Sequence, residues 1–304
     1  MTAKPSYGKH LACLAAVFIL GDSIMVLPPP ESGRYTFWGF LAAVAAAFLL
    51  FLAALPLSNA LVLKSGKNIF LRALSALFLT AAALYAFYNA GLVLKRYMNF
   101  VDKVLLPDTH KFFIAFIFLL ITAFLATRRQ EVILKFSLIF VIISVITVLL
   151  FFLLSVKDFR QENIAVYRLP SLSELLHEAK PYFFAVSLPA ALIPVYEALF
   201  TGKTRLGAPF SGLTTGLLLV SLCIVDCLLL FGAPFSARLD FPLASAVSTI
   251  TVGPLFTRMD GVVYCLFFGS ALIKTAVCMK LSFFALSALK STFRKRKKQP
   301  SEDC

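Results

Sequence analysis

Eight times along this chain, a stretch of about twenty residues passes with almost no Asp, Glu, Lys or Arg. Runs of that length match the ~30 Å hydrocarbon core of a bilayer, which about 20 apolar residues cross as a helix. The repetition constrains the fold more than any other feature. It predicts an all-α polytopic membrane protein with no soluble domain. Composition agrees: 60% of the 304 residues are hydrophobic and 14% are charged, against roughly 25% charged in soluble domains.

The expected spans are 11–28, 36–60, 70–94, 111–127, 132–155, 181–200, 207–232 and 260–290. Pro28-Pro29-Pro30 stops the first, Trp38 anchors the second at an interface, and Arg128-Arg129 ends the fourth. Lys4 and Lys9 precede the first run as they would in a signal peptide, but no small-residue cleavage site follows. It reads as a retained helix. With the N-terminus inside, sixteen Lys and Arg fall on the cytoplasmic side and eleven on the other. That bias favours both ends inside, although the outer connection 95–111 is unusually basic. The net charge of +14 is densest in Arg294-Lys295-Arg296-Lys297-Lys298, directly after an apolar helix. Such a cluster reads as an anchor on anionic lipid and not as a nucleic-acid surface.

Two outer connections carry helical signals. Ser171 with Glu174 three residues on has the spacing of a capping box, which predicts a short surface helix in 156–180. The segment Leu243–Ile250 is too apolar for a free loop and too short to span, so a re-entrant or interfacial helix is expected there.

Within the first span, Leu20-Gly21-Asp22-Ser23 brings a glycine, a carboxylate and a hydroxyl to membrane depth. An ionisable group there costs at least ~2.5–3.5 kcal/mol and marks a partner or a polar cavity. Gly21 is the local place to unwind and expose backbone groups to a ligand. The sixth span offers a second interruption. Pro189 and Pro194, five residues apart, deprive the carbonyls near Ala185 and Ala190 of their donors, giving either a discontinuity or a kink. Transporters with two inverted five-helix repeats place their sites at such a pair of spans. The candidate ligand residues are Gly21, Asp22, Ser23, Ser187, Pro189, Tyr196 and Glu197, with Tyr85, Tyr88 and Asn89 on one face of the third span. Asp226 and Lys274, each inside an apolar helix, are candidates for coupling or structural roles and could pair with each other.

Signatures of enzymes are lacking: there is no phosphate loop, no paired-histidine motif and no Gly-x-Ser-x-Gly elbow, and His10, His110 and His177 do not cluster. No metal or cofactor is expected. Cys13, Cys223, Cys227, Cys265 and Cys278 lie in apolar helices and read as small hydrophobes.

Three stretches resemble the B-subunit, permease-like GerAB family of spore germination proteins, within the amino acid–polyamine–organocation superfamily. They are Gly21 to Pro28, then Pro194-Val195-Tyr196-Glu197, then Phe241-Pro242 with Arg258-Met259-Asp260 and Ile273-Lys274. The turn Gly66-Lys67-Asn68 also fits. The resemblance covers about residues 7–292 and implies a LeuT-like inverted-repeat bundle. Its first repeat would be 11–155 and a partial second 181–290, all in one transmembrane unit, 1–293, followed by a basic cytoplasmic tail, 294–304. The family has ten spans, so this chain reads as truncated to about eight. The resemblance further implies sensing of germinant amino acids or related nutrients at the spore inner membrane, with an A-type and a lipoprotein C-type subunit as partners. Two other readings stay open: an amino acid or cation secondary transporter, and a degenerate structural subunit without ligand.

Overall fold

The computed structural model describes residues 5–26, 35–63, 69–164, 170–202, 204, 206–236, 238–249 and 260–294. Among them there are helices and turns and no strand. The helices are α1 (Pro5–Val26), α2 (Thr36–Ser58), α3 (Ile69–Phe100), α4 (Lys111–Thr127), α5 (Gln130–Ser155), α6 (Leu172–Tyr182), α7 (Leu188–Ala190), α8 (Leu192–Thr201), α9 (Gly207–Phe231), α10 (Ala233–Ser236), α11 (Pro242–Thr249) and α12 (Asp260–Arg294).

Among the described residues, six helical stretches are long and apolar enough to cross a membrane: Thr36–Leu61, Phe70–Leu105, Gln130–Asp158, Leu172–Thr201, Gly207–Phe231 and Asp260–Leu289. The remaining two expected spans appear as shorter apolar helices, Tyr7–Gly21 and Lys111–Thr127. Pro28–Pro30, the turn Gly66-Lys67-Asn68, Arg258-Met259 and the basic tail from Lys295 on lie outside the described residues.

Burial sorts the spans into layers. In an apolar eighteen-residue window of Asp260–Leu289, Leu172–Thr201 and Gly207–Phe231, 72%, 67% and 56% of the residues are buried, against 28% in each such window of α2, α3 and α5. The protein core therefore lies among α1, α6–α8, α9 and α12, and the outer helices turn most of their apolar surface outward. Small residues let the central helices approach closely, as they do where apolar lipid offers no hydrophobic drive. On α9, a side chain at Gly212 would overlap the Ala12 carbonyl, and one at Gly216 would come within 2.8 Å of the Ala16 carbonyl. Gly8 meets Ala208 in the same register, so α1 and α9 run side by side in the same direction. Gly269 of α12 likewise makes room for the Phe140 ring of α5.

Two segments differ from expectation, and a third is helical as expected. Helix α3 continues past residue 94 to Phe100 and a π-helical turn, Val101–Leu105, so Lys95 and Arg96 are helical and not in a loop. Aromatic packing accounts for the extension: the Tyr97 ring lies 4.6 Å from Phe118, and Phe100 lies 5.1–5.7 Å from Phe241, Tyr264 and Phe267. The capping box forms, with the Glu174 carboxylate accepting from the Ser171 amide at 2.7 Å and the Glu174 amide donating to the Ser171 hydroxyl at 3.4 Å. It does not start a separate surface helix but the sixth span itself, which runs through a π-helical turn at Phe183–Ser187 and on to Thr201. Residues 243–249 form α11 as expected, and its Leu243, Ala244, Ala246 and Val247 are buried against the bundle. Ile250 is outside the described residues.

Candidate functional site

Helix α1 is interrupted where its glycine stands. Gly21 has φ 2° and ψ −101°, far from helical values, while the residues on either side belong to helical segments. The reason lies partly across the bundle. The Lys274 side chain of α12 occupies the space that a Cβ on Gly21 would take, with Lys274 Cβ 3.0 Å and Cγ 3.2 Å from that position. One turn earlier on α12, the Ser270 hydroxyl is 3.1 Å from the Gly21 carbonyl oxygen, with the Leu266 and Phe267 carbonyls as its other acceptors. Only a residue without a side chain fits against this lysine.

Lys274 itself is wholly buried. Its ammonium lies 5.6 Å from the centroid of the Phe18 ring, a cation–π distance. The segment of α1 that ends at the break points its last carbonyls toward the gap, and a helix C-terminus favours positive charge. The break and the lysine thus form one electrostatic unit within the core.

The sixth span meets α1 at the same level. The Ser23 hydroxyl lies 2.8 Å from the Ile19 carbonyl, across the break, and 3.4 Å from the Ala185 carbonyl. Ala185 is four residues before Pro189, which has no N–H to donate to it. The π-helical turn at Phe183–Ser187 widens the helix at this point and places the carbonyl toward α1. The sixth span is therefore bulged and kinked and not unwound: Leu188 donates to Phe183 across the wide turn, and Ala191 closes a tight turn onto Leu188 at 3.2 Å. Of the two alternatives for this span, the structure has the kink.

The other candidate residues fall in different places. Ser187 is buried and donates to the Ala43 carbonyl of α2 at 2.6 Å, tying the sixth span to α2. Pro189 and Glu197 are buried within the sixth span. Tyr196 borders a narrow apolar cavity of about 10 Å³ between α1, α8 and α12, lined by Leu14, Phe18, Ile193 and Val277 among others. The Tyr196 hydroxyl has no hydrogen-bond partner among the described residues. A space of that size holds about one water and no nutrient. Asn89 is buried and donates to the Tyr85 hydroxyl at 3.3 Å, but Tyr88 is 58% exposed and faces away from that pair. Helical spacing set the three on one wide face, and the packed stripe takes only two of them. The Asp22 side chain lies outside the described residues.

Asp226 and Lys274 do not pair. Asp226 is buried on α9 with its Oδ2 3.3 Å from the Ser155 hydroxyl, and its Oδ1 has no hydrogen-bond partner among the described residues. Cys223 and Cys227 flank it as buried free thiols, and no metal-binding group of His, Cys, Asp and Glu occurs among the described residues. Three site residues escape the sequence reading: Ser270, Phe18 and Ser155. A serine or phenylalanine in an apolar helix carries no signal of its own. The four-residue spacing of Ser270 and Lys274 was the available clue, since it puts both on one face.

A protein-family model described as spore germination protein matches residues 9–301. Among curated proteins, none matches the chain.

Proposed function

The chain belongs to the spore germination protein family, and from that premise we propose that it is the permease-like membrane subunit of a nutrient-germinant receptor. In this reading a small amino-acid-like nutrient binds where α1 breaks and the sixth span bulges. The two spans stand in the relation of first helices in two inverted repeats, as in a LeuT-like bundle. The single observation that carries the reading is the convergence of Gly21, Ser23 and the Ala185 carbonyl beside the buried Lys274. Amide groups at the second α1 segment suit a nutrient carboxylate, and the carbonyls of Ile19 and Ala185 suit its ammonium.

The cavity beside Tyr196 is too small for a nutrient, so in this reading the nutrient binds another arrangement of α1 and the sixth span. It shifts the balance between the two only through its differential affinity for them. An A-type subunit and a lipoprotein C-type subunit in the spore inner membrane would receive that shift.

Germination of spores carrying Asp22→Asn or Ser23→Ala tests the proposal, with protein abundance checked by immunoblot. A raised half-maximal nutrient concentration at normal abundance supports it. An unchanged response in both variants would leave a structural subunit without ligand. Robust uptake of an amino acid by the chain alone in proteoliposomes would replace the sensor with a transporter.

A further inference from the structure

We propose that Asp226 and Ser155 form a proton-binding site between α9 and α5, occupied by a proton in the conformation seen here. Ser155 has a single hydroxyl hydrogen, and two acceptors lie within reach: the Phe151 carbonyl at 2.8 Å and Asp226 Oδ2 at 3.3 Å. The shorter contact takes the hydrogen, as a serine one turn into a helix commonly bonds back to its own backbone. A carboxylate at 226 would then be buried with no donor on Oδ2 and none on Oδ1, which is costly in an apolar interior. A neutral acid removes the conflict. Its own O–H donates to Ser155 Oγ, and Ser155 donates to Phe151, so each hydrogen has one acceptor.

No neighbouring charge among the described residues offers another solution. On α9 the flanking groups are the buried thiols Cys223 and Cys227. Beyond the end of α5 come Lys157, Asp158 and Arg160, all exposed. Helix α6 brings Glu178 and Tyr182 and the turn after α5 brings Glu162, while α2, α10 and α11 contribute no acid or base. Helix α1 carries Lys9, His10 and Cys13, but the register that sets Ala12 against Gly212 and Ala16 against Gly216 places them more than two helical turns from the level of Asp226.

A crevice of about 640 Å³ opens at this end of the bundle, lined by Lys157, Asp158, Phe159, Arg160, Leu230 and Thr249 among others. Leu230 follows Asp226 by one helical turn, and Lys157 follows Ser155 by two residues. If α9 draws away from α5, water from the crevice reaches Asp226. The O–H bond of the acid breaks, its proton passes to that water, and a solvated carboxylate remains. The same step in reverse reloads the site. Separation of α5 from α9 is thereby tied to release of a proton.

Infrared spectroscopy of the full chain in lipid nanodiscs tests this. Near neutral pH the wild type is expected to show the C=O stretch of a buried carboxylic acid, absent in Asp226→Asn and displaced in Ser155→Ala. No such band in the wild type, or one untouched by Asp226→Asn, overturns the site. A band that collapses on adding sodium or potassium chloride at fixed pH also overturns it, because the occupant would then be a metal cation. If Asp226→Asn does not accumulate, Ser155→Ala decides alone: a displaced band supports the site and an undisplaced band refutes it. Protonation of Asp226 needs no nutrient at the α1 break, so this measurement and the germination assays can fail separately.

Discussion

Lys274 fills the space that a side chain on Gly21 would need. A glycine on α1 and a lysine on α12 are thus fitted to one another, and the break in α1 is built around a wholly buried cationic side chain. A lysine inside a membrane bundle is costly unless something in the bundle uses its charge. Here the ring of Phe18 is in place to do so.

Gly21→Ala should be destabilising by about 1–3 kcal/mol through overpacking against Lys274. Shortening the partner ought to recover part of that loss. The measurement is thermal unfolding of the purified chain in detergent for Gly21→Ala, Lys274→Ala and the double variant. If the two effects simply add, the side chains are not in conflict.

Lys274→Met keeps most of the stem and removes the charge. The chain should still fold, because the volume is nearly conserved. The nutrient response should weaken about tenfold or more, equivalent to ~1.4 kcal/mol of lost preference between states. Dose–response curves of germinating spores give the number. A Met variant with a wild-type curve would show that the ammonium has no part in the response.

Ser23→Ala removes the hydroxyl that lies between the Ile19 and Ala185 carbonyls. Since Pro189 cannot serve Ala185, the expected cost is about 0.5–2 kcal/mol, the range for hydrogen bonds in membrane bundles. Pro189→Ala should act differently, restoring a backbone donor and tightening the wide turn. Disulfide trapping between cysteines placed at 23 and 185 would read the separation directly, and faster crosslinking in the Pro189→Ala background would contradict this expectation.

Glycines at packed and open positions should diverge. Gly212→Ala would press into the Ala12 backbone, whereas Gly91 on α3 has nothing within 4 Å. The first should lower accumulation in the membrane and the melting temperature sharply. The second should be neutral or stabilising by up to about 1 kcal/mol, the helix preference of Ala over Gly. Equal melting temperatures for the two would mean that α1 and α9 are not in close contact.

The exposed ion pair between Lys103 and Asp240, 2.7 Å long with half or more of each side chain in solvent, should matter little. Asp240→Asn is expected to change stability by no more than about 1 kcal/mol. A much larger loss would indicate that α11 is held down chiefly by this pair and not by its buried Leu243 and Val247.

How far the sequence reaches can be judged from particular residues. Long apolar runs dictate membrane helices because lipid leaves backbone groups no other partner, and six of the runs are helices of spanning length. Gly21 marks the α1 break, Pro189 marks the disturbed turn that frees the Ala185 carbonyl, and Ser171 with Glu174 marks a helix start. All are local effects of φ/ψ freedom, a lost N–H or a cap, and they need no knowledge of neighbours. Where a helix continues is less local: α3 outruns its apolar stretch because Tyr97 and Phe100 find aromatic partners on α4, α12 and beside α11.

Tertiary structure alone decided which polar groups meet. Periodicity gives a residue's place around its own helix axis, but not which helix lies opposite. That is why Asp226 and Lys274, equally plausible partners by sequence, end up serving Ser155 and the α1 break instead, and why Tyr88 turns outward while Asn89 turns in. Small-residue packing of α1 on α9 and of α12 on α1 and α5 sets those rotations, through contacts between residues up to about two hundred and fifty positions apart in the chain.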